Sequence, residues 1–533
     1  MNRISLLAGG LIFAAFAAYG QDYSGDVFRY SEQPIIGTAR FQGLGGSHAA
    51  LGGDASSVFT NPAGLGFYNR SEFSLSPGIR LQNVGATYLE RSTSASSSTP
   101  FVGQAGLIFA GEPSRNGKMR RGTFGITYSR QVSLNNEFTF SGQNNRSSLT
   151  DSYAEELNRY GVASGTVDQA YNTNTKQIGN IGANTANELF GTAYLAAAYQ
   201  LYLLDPLQTN GKVYAGAEQN KPTIQTQGFN SSGAQSQWAL GYGANFDDKF
   251  YVGGSLALTS TRYDFTNEFR ESFVGGDQIR GMADVSTLTV RGTGINLTLG
   301  AIYRPTQSIQ LGATFASPTF SQLTETYNRT ISADIIGIRQ TDNAGNPVRF
   351  VPDLQEIDLP ANDFEYSITT PLRASGGATF FVGKRGFLTA TAEYVGYSGM
   401  RVSTDGYGSS ADNQAFRQDN TRFVQGTYQS VVNFRAGAEV RADVFRFRLG
   451  AAYLPSPYKT TFDPLAQNGE RDTWLYSGGV GARNDRFFAD LAAVFYTTKT
   501  AYTPYTLNTP QNYGTATLNN KITSLMLSVG LFF

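Results

Sequence analysis

The stretch FYVGGSLAL at residues 250–258 alternates between apolar side chains and small or polar ones. Phe250, Val252, Leu256 and Leu258 fall on alternate positions, and mostly glycine, serine and alanine lie between them. Successive residues of a β-strand point to opposite faces of the sheet. The stretch therefore predicts a strand with one apolar face.

The same alternation recurs along most of the chain, for example in INLTLGA at 295–301 and IQLGATF at 309–315. The alternating segments are about ten residues long, which is the length of a tilted membrane-spanning strand. Tyr and Phe recur near their ends, as in the aromatic girdles of outer-membrane barrels. A soluble β-sandwich would alternate too, with its apolar face inward. The length of the segments and the aromatic residues at their ends favour a membrane-spanning barrel over a soluble sandwich.

The connections between these segments alternate between short and long, which is typical of barrels with short periplasmic turns and long extracellular loops. Residues 247–249 and 484–486 are examples of the short ones. The long ones are expected at about 131–189, 260–286, 317–364, 397–428, 455–473 and 497–520. We predict an all-β fold over residues 71–533, an antiparallel up-and-down transmembrane β-barrel, and count about sixteen segments by this pattern.

The composition excludes several classes of protein. The chain has 533 residues, 41 Lys and Arg against 41 Asp and Glu, one His and no Cys. The lack of cysteine rules out thiol nucleophiles and disulfides, and one histidine leaves no ordinary zinc site. The charge balance argues against nucleic acid as a partner. Because a nucleophile and its base are hard to build around His48 alone, we predict no enzyme and no cofactor.

Residues 1–20 have the pattern of an export signal. Arg3 precedes an apolar run over residues 4–18, and Ala18 and Gly20 are small residues at the positions that a signal peptidase reads. The alternative is an N-terminal membrane anchor, but the run is shorter than the roughly 20 residues that a spanning helix needs. We therefore expect cleavage after Gly20.

Residues 21–70 lack the alternation and are predicted to form a separate N-terminal segment. Asp54 is a candidate N-cap for a short helix over residues 55–60, and Asn61 and Pro62 would end it. The glycine-rich run around His48 lacks the lysine of a phosphate-binding loop. For His48 we expect structural packing.

Charged residues occupy the non-apolar face of the late strands. Arg435, Glu439, Arg446 and Arg448 are predicted to face the lumen, together with Glu393. Two interpretations remain open. An arginine can capture the carboxylate of an amphipathic ligand by a charge-assisted hydrogen bond, or the residues can form an ion-pair network that holds the wall, which is the usual state of buried charges.

The run from Gly37 to Leu65, which ends in Asn61-Pro62-Ala63-Gly64-Leu65, resembles the N-terminal signature of the FadL-type outer-membrane channels for long-chain fatty acids and other hydrophobic molecules. Ser317-Pro318, Thr370-Pro371 and Pro455-Ser456-Pro457-Tyr458 fit the same family. The resemblance implies a fourteen-stranded barrel with an N-terminal plug, or hatch, so we predict 14–16 strands. It also implies that Asn61, Pro62, Ala63 and Gly64 belong to the plug and gate.

By this resemblance we expect passive uptake of a hydrophobic or amphipathic small molecule through a lumenal pocket and a lateral exit. The expected place is the outer membrane of a diderm bacterium, among its lipids, with the barrel-assembly machinery engaging the C-terminal strand that ends at Phe533. We expect a monomer. The alternative is a PorV-type barrel that binds and shuttles secreted proteins, because such barrels share the Asn-Pro-Ala signature.

Overall fold

In the computed structural model the chain forms one closed antiparallel barrel of 14 strands. The structure describes residues 23–533 except 34, 36, 115–117, 173–174, 176, 182–191, 337–338, 342–346 and 351–353. The expected signal peptide, residues 1–20, lies outside the described residues. The predicted barrel is confirmed, and the strand number is the lower of the two expected values.

The barrel strands follow one another around the wall in chain order. They are β1 (Glu72–Tyr88), β2 (Arg91–Ala110), β3 (Met119–Ser133 and Asn136–Asn144), β4 (Thr223–Phe246), β5 (Phe250–Phe273), β6 (Ile279–Tyr303), β7 (Ile309–Ala316 and Phe320–Ile335), β8 (Leu354–Asp358, Asn362–Thr369 and Arg373–Phe381), β9 (Gly386–Val395 and Arg401–Ser403), β10 (Val431–Ala442), β11 (Phe445–Leu454), β12 (Thr473–Arg483), β13 (Phe487–Tyr502) and β14 (Ala516–Phe532).

The barrel closes by pairing of its first and last strands. Glu72 pairs with Phe532, and the ladder continues to Thr87 and Thr517. The backbone of Ser71 exchanges hydrogen bonds with that of Phe533, 3.0 Å in each direction. Both chain ends of the barrel therefore lie at the end with the short turns, which is the periplasmic end in barrels of this kind.

The outer face of the barrel carries an apolar band. On β5, Leu256 and Leu258 are 47% and 63% exposed, whereas Ser255 and Ala257 between them are 4% and 2% exposed. Apolar side chains that point outward are expected where lipid surrounds the wall. A closed barrel also satisfies its backbone hydrogen bonds inside hydrocarbon. The alternation read from the sequence thus distinguishes a lipid face from a lumenal face.

The strands extend far beyond this band on the extracellular side. Outward positions of β5 above Leu258 are polar, beginning with Ser260 and Arg262, but β5 and β6 stay paired up to Ser272 and Gly281. The expected loop at 260–286 is therefore wrong, because β5 stays paired on both sides and aromatic side chains at several inward positions pack inside the lumen. Phe269 and Phe273 are buried on that inner side. The long loop after β3 likewise begins only after residue 144.

Seven α-helices lie in the N-terminal segment and the extracellular connections that the structure describes. They are α1 (Tyr23–Arg29), α2 (Ala39–Gly43), α3 (Leu149–Tyr160), α4 (Ser164–Gln169), α5 (Ala193–Gln200), α6 (Ser410–Thr427) and α7 (Pro464–Gln467). None of the described helices has both the length and the hydropathy to cross a membrane.

Two hydrophobic clusters join the extracellular helices to the barrel. Helices α3 and α5 pack with Phe269, Met282 and Ile331 of the extended strands. Helix α6 packs on α1, where Tyr23 and Phe416 lie edge to face at 5.3 Å and Phe28 stacks on Tyr428 at 4.8 Å. The chain therefore begins, within its described part, in the extracellular half of the lumen.

From α1 the N-terminal segment passes to α2 and two 3₁₀ helices, Ala55–Val58 and Pro62–Phe67. Each begins with a side-chain cap. Thr38 accepts from Phe41 N–H, Asp54 from Ser56 N–H and Asn61 from Ala63 N–H. The predicted cap at Asp54 is confirmed, and the short helix after it is 3₁₀.

Candidate functional site in the barrel lumen

Residues 37–67, which we call the lumenal segment, pack against inward-facing glycines on most of the strands. A Cβ on Gly450 would lie 2.1 Å from Gly45 N, and a Cβ on Gly312 would lie 1.9 Å from Ala49 O. The backbone of the segment thus touches the wall directly, which only glycine permits. The glycines that meet the segment in this way are Gly106, Gly125, Gly241, Gly243, Gly253, Gly300, Gly312, Gly377, Gly437, Gly450 and Gly479.

The residues Asn61, Pro62, Ala63 and Gly64 lie inside this contact. The Asn61 side chain donates to Ala49 O at 2.5 Å and accepts from Ala63 N–H at 3.2 Å. Its Oδ1 would be 1.9 Å from a Cβ on Gly300, and Pro62 is similarly close to Gly253. The motif therefore folds the segment on itself and seats it against β5 and β6.

His48 is buried in the same segment, 2% exposed. Its Nδ1 lies 3.3 Å from Thr60 Oγ1, and its ring lies edge to face with Phe41. Burial lowers the pKa of His48 to about 4, against an opposing effect of Asp54. Burial also disfavours the charged form of Asp54, but His48, Arg40 and hydrogen bonds from Ser56 outweigh it and lower the pKa of Asp54.

Three of the predicted lumenal residues lie together near the periplasmic end. Arg448 lies 2.9 Å from Glu439 and also pairs with Asp490, at 2.5 Å. Glu439 further binds Arg441 at 2.9 Å. Glu439, Arg446 and Arg448 line a small cavity of about 160 Å³. Arg446 donates to the backbone of the β10–β11 turn. This geometry favours the ion-pair interpretation for Glu439 and Arg448.

The fourth predicted residue, Arg435, lies in a different cluster. It pairs with Glu393 at 3.4 Å, and Glu393 also pairs with Arg373 at 3.5 Å. Arg373 in turn donates to Ser31 O, 2.6 Å away, just beyond α1. The four residues that the sequence analysis grouped as one candidate site thus belong to two separate places in the lumen.

A cavity of about 540 Å³ lies above the lumenal segment. We call it the main cavity. One part of its lining is apolar and rich in aromatic rings, and another part is polar. The apolar lining includes Phe28, Phe101, Val132, Leu134, Phe138, Phe229, Tyr263, Leu454, Val494, Tyr496, Tyr502, Leu518, Ile522 and Met526. Such a mixture suits a molecule with an apolar body and a polar head.

Two arginines of the main cavity, Arg80 and Arg130, have no carboxylate within ion-pair distance among the described residues. The Nε atoms of both arginines are buried and have no hydrogen-bond partner among the residues that the structure describes. Other cations of the cavity are engaged, since Arg29 pairs with Asp26 and Lys499 pairs with Glu470. Glu32 also lines the cavity and interacts electrostatically with Arg80 without reaching ion-pair distance, so positive charge is available at Arg130 and in part at Arg80.

The barrel wall is unpaired beside these arginines. The ladder between β2 and β3 runs from Ala110–Thr123 to Gln104–Ser129, and no pairing joins the rest of these two fully described strands. Bulges on each side, at Ser76/Pro77 and Arg130/Val132, bend the strands apart. A side-chain contact from Thr93 Oγ1 to Thr139 O, at 2.5 Å, closes the gap above.

The gap lies at the upper edge of the apolar band. Along it the outward positions change from apolar Val102 and Leu81 to polar Asn83 and its partner Ser96. The Arg130 guanidinium lies over the Phe101 ring, 5.6 Å from its centroid. This cation–π contact crosses from β3 to β2 and occupies part of the gap.

Sequence reasoning missed the main cavity, Arg80 and Arg130. Both arginines sit on alternating strands, where nothing in the spacing distinguishes them from other lumenal residues. One signal was present, because the bulge near Arg130 interrupts the alternation of β3 between Ser129 and Val132. The inward-facing glycines could be seen in the sequence as well. That they lie at the same height around the barrel follows only from the register of the strands.

The fold defines the chain as a transmembrane β-barrel of the outer-membrane type with an N-terminal segment inside its lumen. Its fold is similar to that of a Pseudomonas aeruginosa FadL homologue, with a TM-score of 0.54, 12% identity, and coverage of 94% of this chain and 99% of that one. It is also similar to the P. putida toluene transporter TodX, with a TM-score of 0.52, 13% identity and the same coverage.

These likenesses confirm the expected FadL-type fold over nearly the whole chain. No family model matches the sequence, and neither does any curated protein.

Proposed function

We propose that the protein is an outer-membrane channel for passive uptake of amphipathic small molecules with an apolar body and an anionic head, such as long-chain fatty acids. The observation that carries the proposal is the position of the main cavity. It meets the unpaired stretch between β2 and β3, where Arg80 and Arg130 stand without carboxylate partners. The similar fold of TodX, a toluene transporter, supports a hydrophobic ligand.

The lumenal segment acts in this proposal as a plug. Its contacts with the inward glycines and its tie to the wall through Arg40 and Glu439 support that role. Because the plug fills the periplasmic end of the lumen, it blocks a ligand in the main cavity from leaving there. Asn61, Pro62, Ala63 and Gly64 hold the plug in its folded form, so they act on the gate through its stability.

The exit in this proposal is lateral. The gap between β2 and β3 opens where outward side chains change from apolar to polar, near the outer leaflet. Moving Arg130 off Phe101 widens the gap. It breaks a cation–π contact worth about 0.5–2 kcal/mol and the hydrogen bonds from Arg130 to Gly233 O and Ser133 Oγ. An apolar chain then leaves directly into lipid, and no energy source is needed because the apolar body gains burial at each step.

The anionic head is argued from charge. A carboxylate in the cavity can accept charge-assisted hydrogen bonds from Arg80 and Arg130, whose Nε groups are unsatisfied. Each such bond contributes about 1.5–3 kcal/mol, so each arginine is expected to change the dissociation constant about tenfold or more. Neutral hydrocarbons would bind the same cavity without this dependence.

Binding of hexadecanoate to the purified protein tests the proposal. We expect Arg80→Gln and Arg130→Gln each to raise its dissociation constant about tenfold. Arg262→Gln is the matched control, because Arg262 is on the outer face of β5 with its side chain 71% exposed. Unchanged affinity in the double variant R80Q/R130Q, or no binding to the native protein, would contradict the proposal.

A further inference from the structure

A second break in the barrel wall lies between β7 and β8. Ala316 pairs with Arg373 below it and Phe320 pairs with Thr369 above it, so the register is the same on both sides. Pro318 therefore lies opposite Pro371. Neither proline has an N–H, so this rung of the ladder has no backbone donor. We call residues 317–319 and 370–372 the proline seam.

The strands beside the seam are irregular at the same level. The register of β6 shifts by one residue between Thr298–Ala316 and Ile295–Phe320. Strand β9 is interrupted at residues 396–400 by a 3₁₀ turn, Tyr397–Gly399. The wall is thus weakened on both sides of the seam.

Side chains replace backbone groups in closing the seam. Across the seam Thr319 N–H donates to Thr370 Oγ1 at 2.8 Å. On the β6 side, Leu297 N–H donates to Ser317 Oγ at 3.0 Å and Ser317 N–H donates to Leu297 O at 2.8 Å. Across the seam itself, one backbone bond joins β7 and β8 among these described residues, from Thr370 N–H to Thr319 O at 3.1 Å. Rotation of hydroxyl side chains can release the side-chain contacts without unfolding a ladder.

The seam separates lipid from a polar pocket. On its outer side Phe315, Phe320 and Leu372 are exposed at 46%, 57% and 38%, as expected within the apolar band. On its inner side lies a cavity of about 130 Å³. We call it the hydroxyl pocket, because its wall on β6 to β8 carries Asn296, Thr298, Thr314, Ser317, Thr319, Thr370 and Ser375.

His48 also lines the hydroxyl pocket, and its Nε2 has no hydrogen-bond partner among the described residues. The charged residues at the pocket's edge are engaged, since Arg373 and Arg435 both pair with Glu393. The pocket thus offers uncharged donors and acceptors, in contrast to Arg80 and Arg130 in the main cavity. Gln33, Ile35 and Gln131 line both spaces, so the two are neighbours.

We propose that the proline seam is a second lateral opening, and that the hydroxyl pocket takes the neutral, hydrogen-bonding head of an amphiphile such as a long-chain alcohol. This inference rests on the proposed channel function. The channel then has two lateral openings that differ in the head group they favour. The gap between β2 and β3 takes anions, and the seam takes uncharged heads that can both donate and accept.

A disulfide across the seam tests this opening. The chain has no cysteine, so T319C/T370C introduces the only thiols. The two positions are opposite in an antiparallel pair, where Cα atoms lie about 4.5–5.5 Å apart, within the range for a disulfide. The matched control is A313C/G376C, a directly paired position in the intact ladder of the same two strands that does not line the pocket.

The measurement is the release of bound radiolabelled hexadecan-1-ol and hexadecanoate from full-length protein in lipid nanodiscs, chased with excess vesicles. Oxidation of T319C/T370C is expected to slow release of the alcohol about tenfold relative to its reduced form. Release of hexadecanoate, and release of both probes from A313C/G376C, should change little. A heat-dependent shift in gel mobility shows that each variant contains a folded barrel.

A second variant, P318T/P371T, gives the rung back its N–H groups and is expected to slow release of the alcohol without oxidation. If both probes bind but neither variant changes the rate of alcohol release, the second opening is overturned and the channel stays intact. Slowing of both probes equally would overturn the assignment of neutral heads. Failure of the alcohol alone to bind would overturn the second opening and leave the channel intact, whereas failure of hexadecanoate to bind would overturn the channel.

Discussion

Arg40 of the lumenal segment lies 3.7 Å from Glu439 of β10, Nε to Oε2, and the two side chains are 13% and 2% exposed. Glu439 is also bound by Arg448 and Arg441. An ion pair therefore ties the segment to the wall inside a network that is shielded from solvent, where charges interact more strongly than at the surface.

Removal of this tie should loosen the plug. In Arg40→Gln the wall keeps its own pairs around Glu439, so the barrel is expected to fold normally. The segment loses its charged contact, and we expect higher and noisier single-channel conductance in planar bilayers. Arg70→Gln is the control, because Arg70 pairs with Asp485 at the exposed periplasmic rim. Equal conductance in R40Q and R70Q would argue against the tie.

The position of Asn61 against the wall should depend on residue 300 being glycine, which has no Cβ. A Cβ at that position would lie 1.9 Å from Asn61 Oδ1, whereas a Cβ on Gly376 meets open space. We expect Gly300→Val to cost about 1–3 kcal/mol of stability and to raise conductance, because the plug must shift. Gly376→Val should do neither. Thermal unfolding and conductance of the two variants measure the difference.

Acid should weaken the plug through His48. The pKa of its buried ring is about 4, below the 6.5 of a free histidine, so protonation favours the displaced segment. The stabilisation is complete above pH 6.5 and is lost progressively as the pH falls toward 4. We expect conductance to rise between pH 6.5 and pH 4.5 in the native protein and to rise less in His48→Gln. A pH response that survives this substitution would assign it to another group.

Two similar Arg–Asp pairs above the membrane should differ in their contribution to stability. Arg329 and Asp284 are 14% and 13% exposed, and Tyr153 of α3 also donates to Asp284. Arg280 and Asp334 are 48% and 43% exposed. We expect Asp284→Asn to destabilise by about 3–5 kcal/mol and Asp334→Asn by less than about 1 kcal/mol. Limited proteolysis of residues 145–222 should be faster only in the first variant.

The fold was readable from the sequence because lipid on one side and lumen on the other impose the alternation seen in residues 250–258. Loops were read less well. Above Leu258 the outward residues of the strand are polar, while Phe269 and Phe273 lie inside the barrel. A strand whose outward residues are polar has no apolar alternation on that face, so it was predicted as a loop. The cap at Asp54 was predictable because it depends on neighbouring residues alone.

The candidate site was less predictable, because it depends on which strands are adjacent and where their pairing stops. Arg435 and Arg448 share a face by alternation but belong to different clusters, each set by its own carboxylates. Arg80 and Arg130 stand out only once the gap between β2 and β3 is known. The opposition of Pro318 and Pro371 likewise follows from register, over 50 residues apart in the chain.

Mass spectrometry of the molecules that remain bound after extraction in mild detergent tests the central claim most directly. We predict one amphipathic small molecule per barrel in the native protein, and little or none in R80Q/R130Q. The R262Q control should retain it. A barrel with no small ligand and a stoichiometric exported protein would contradict the channel and favour a role in secretion.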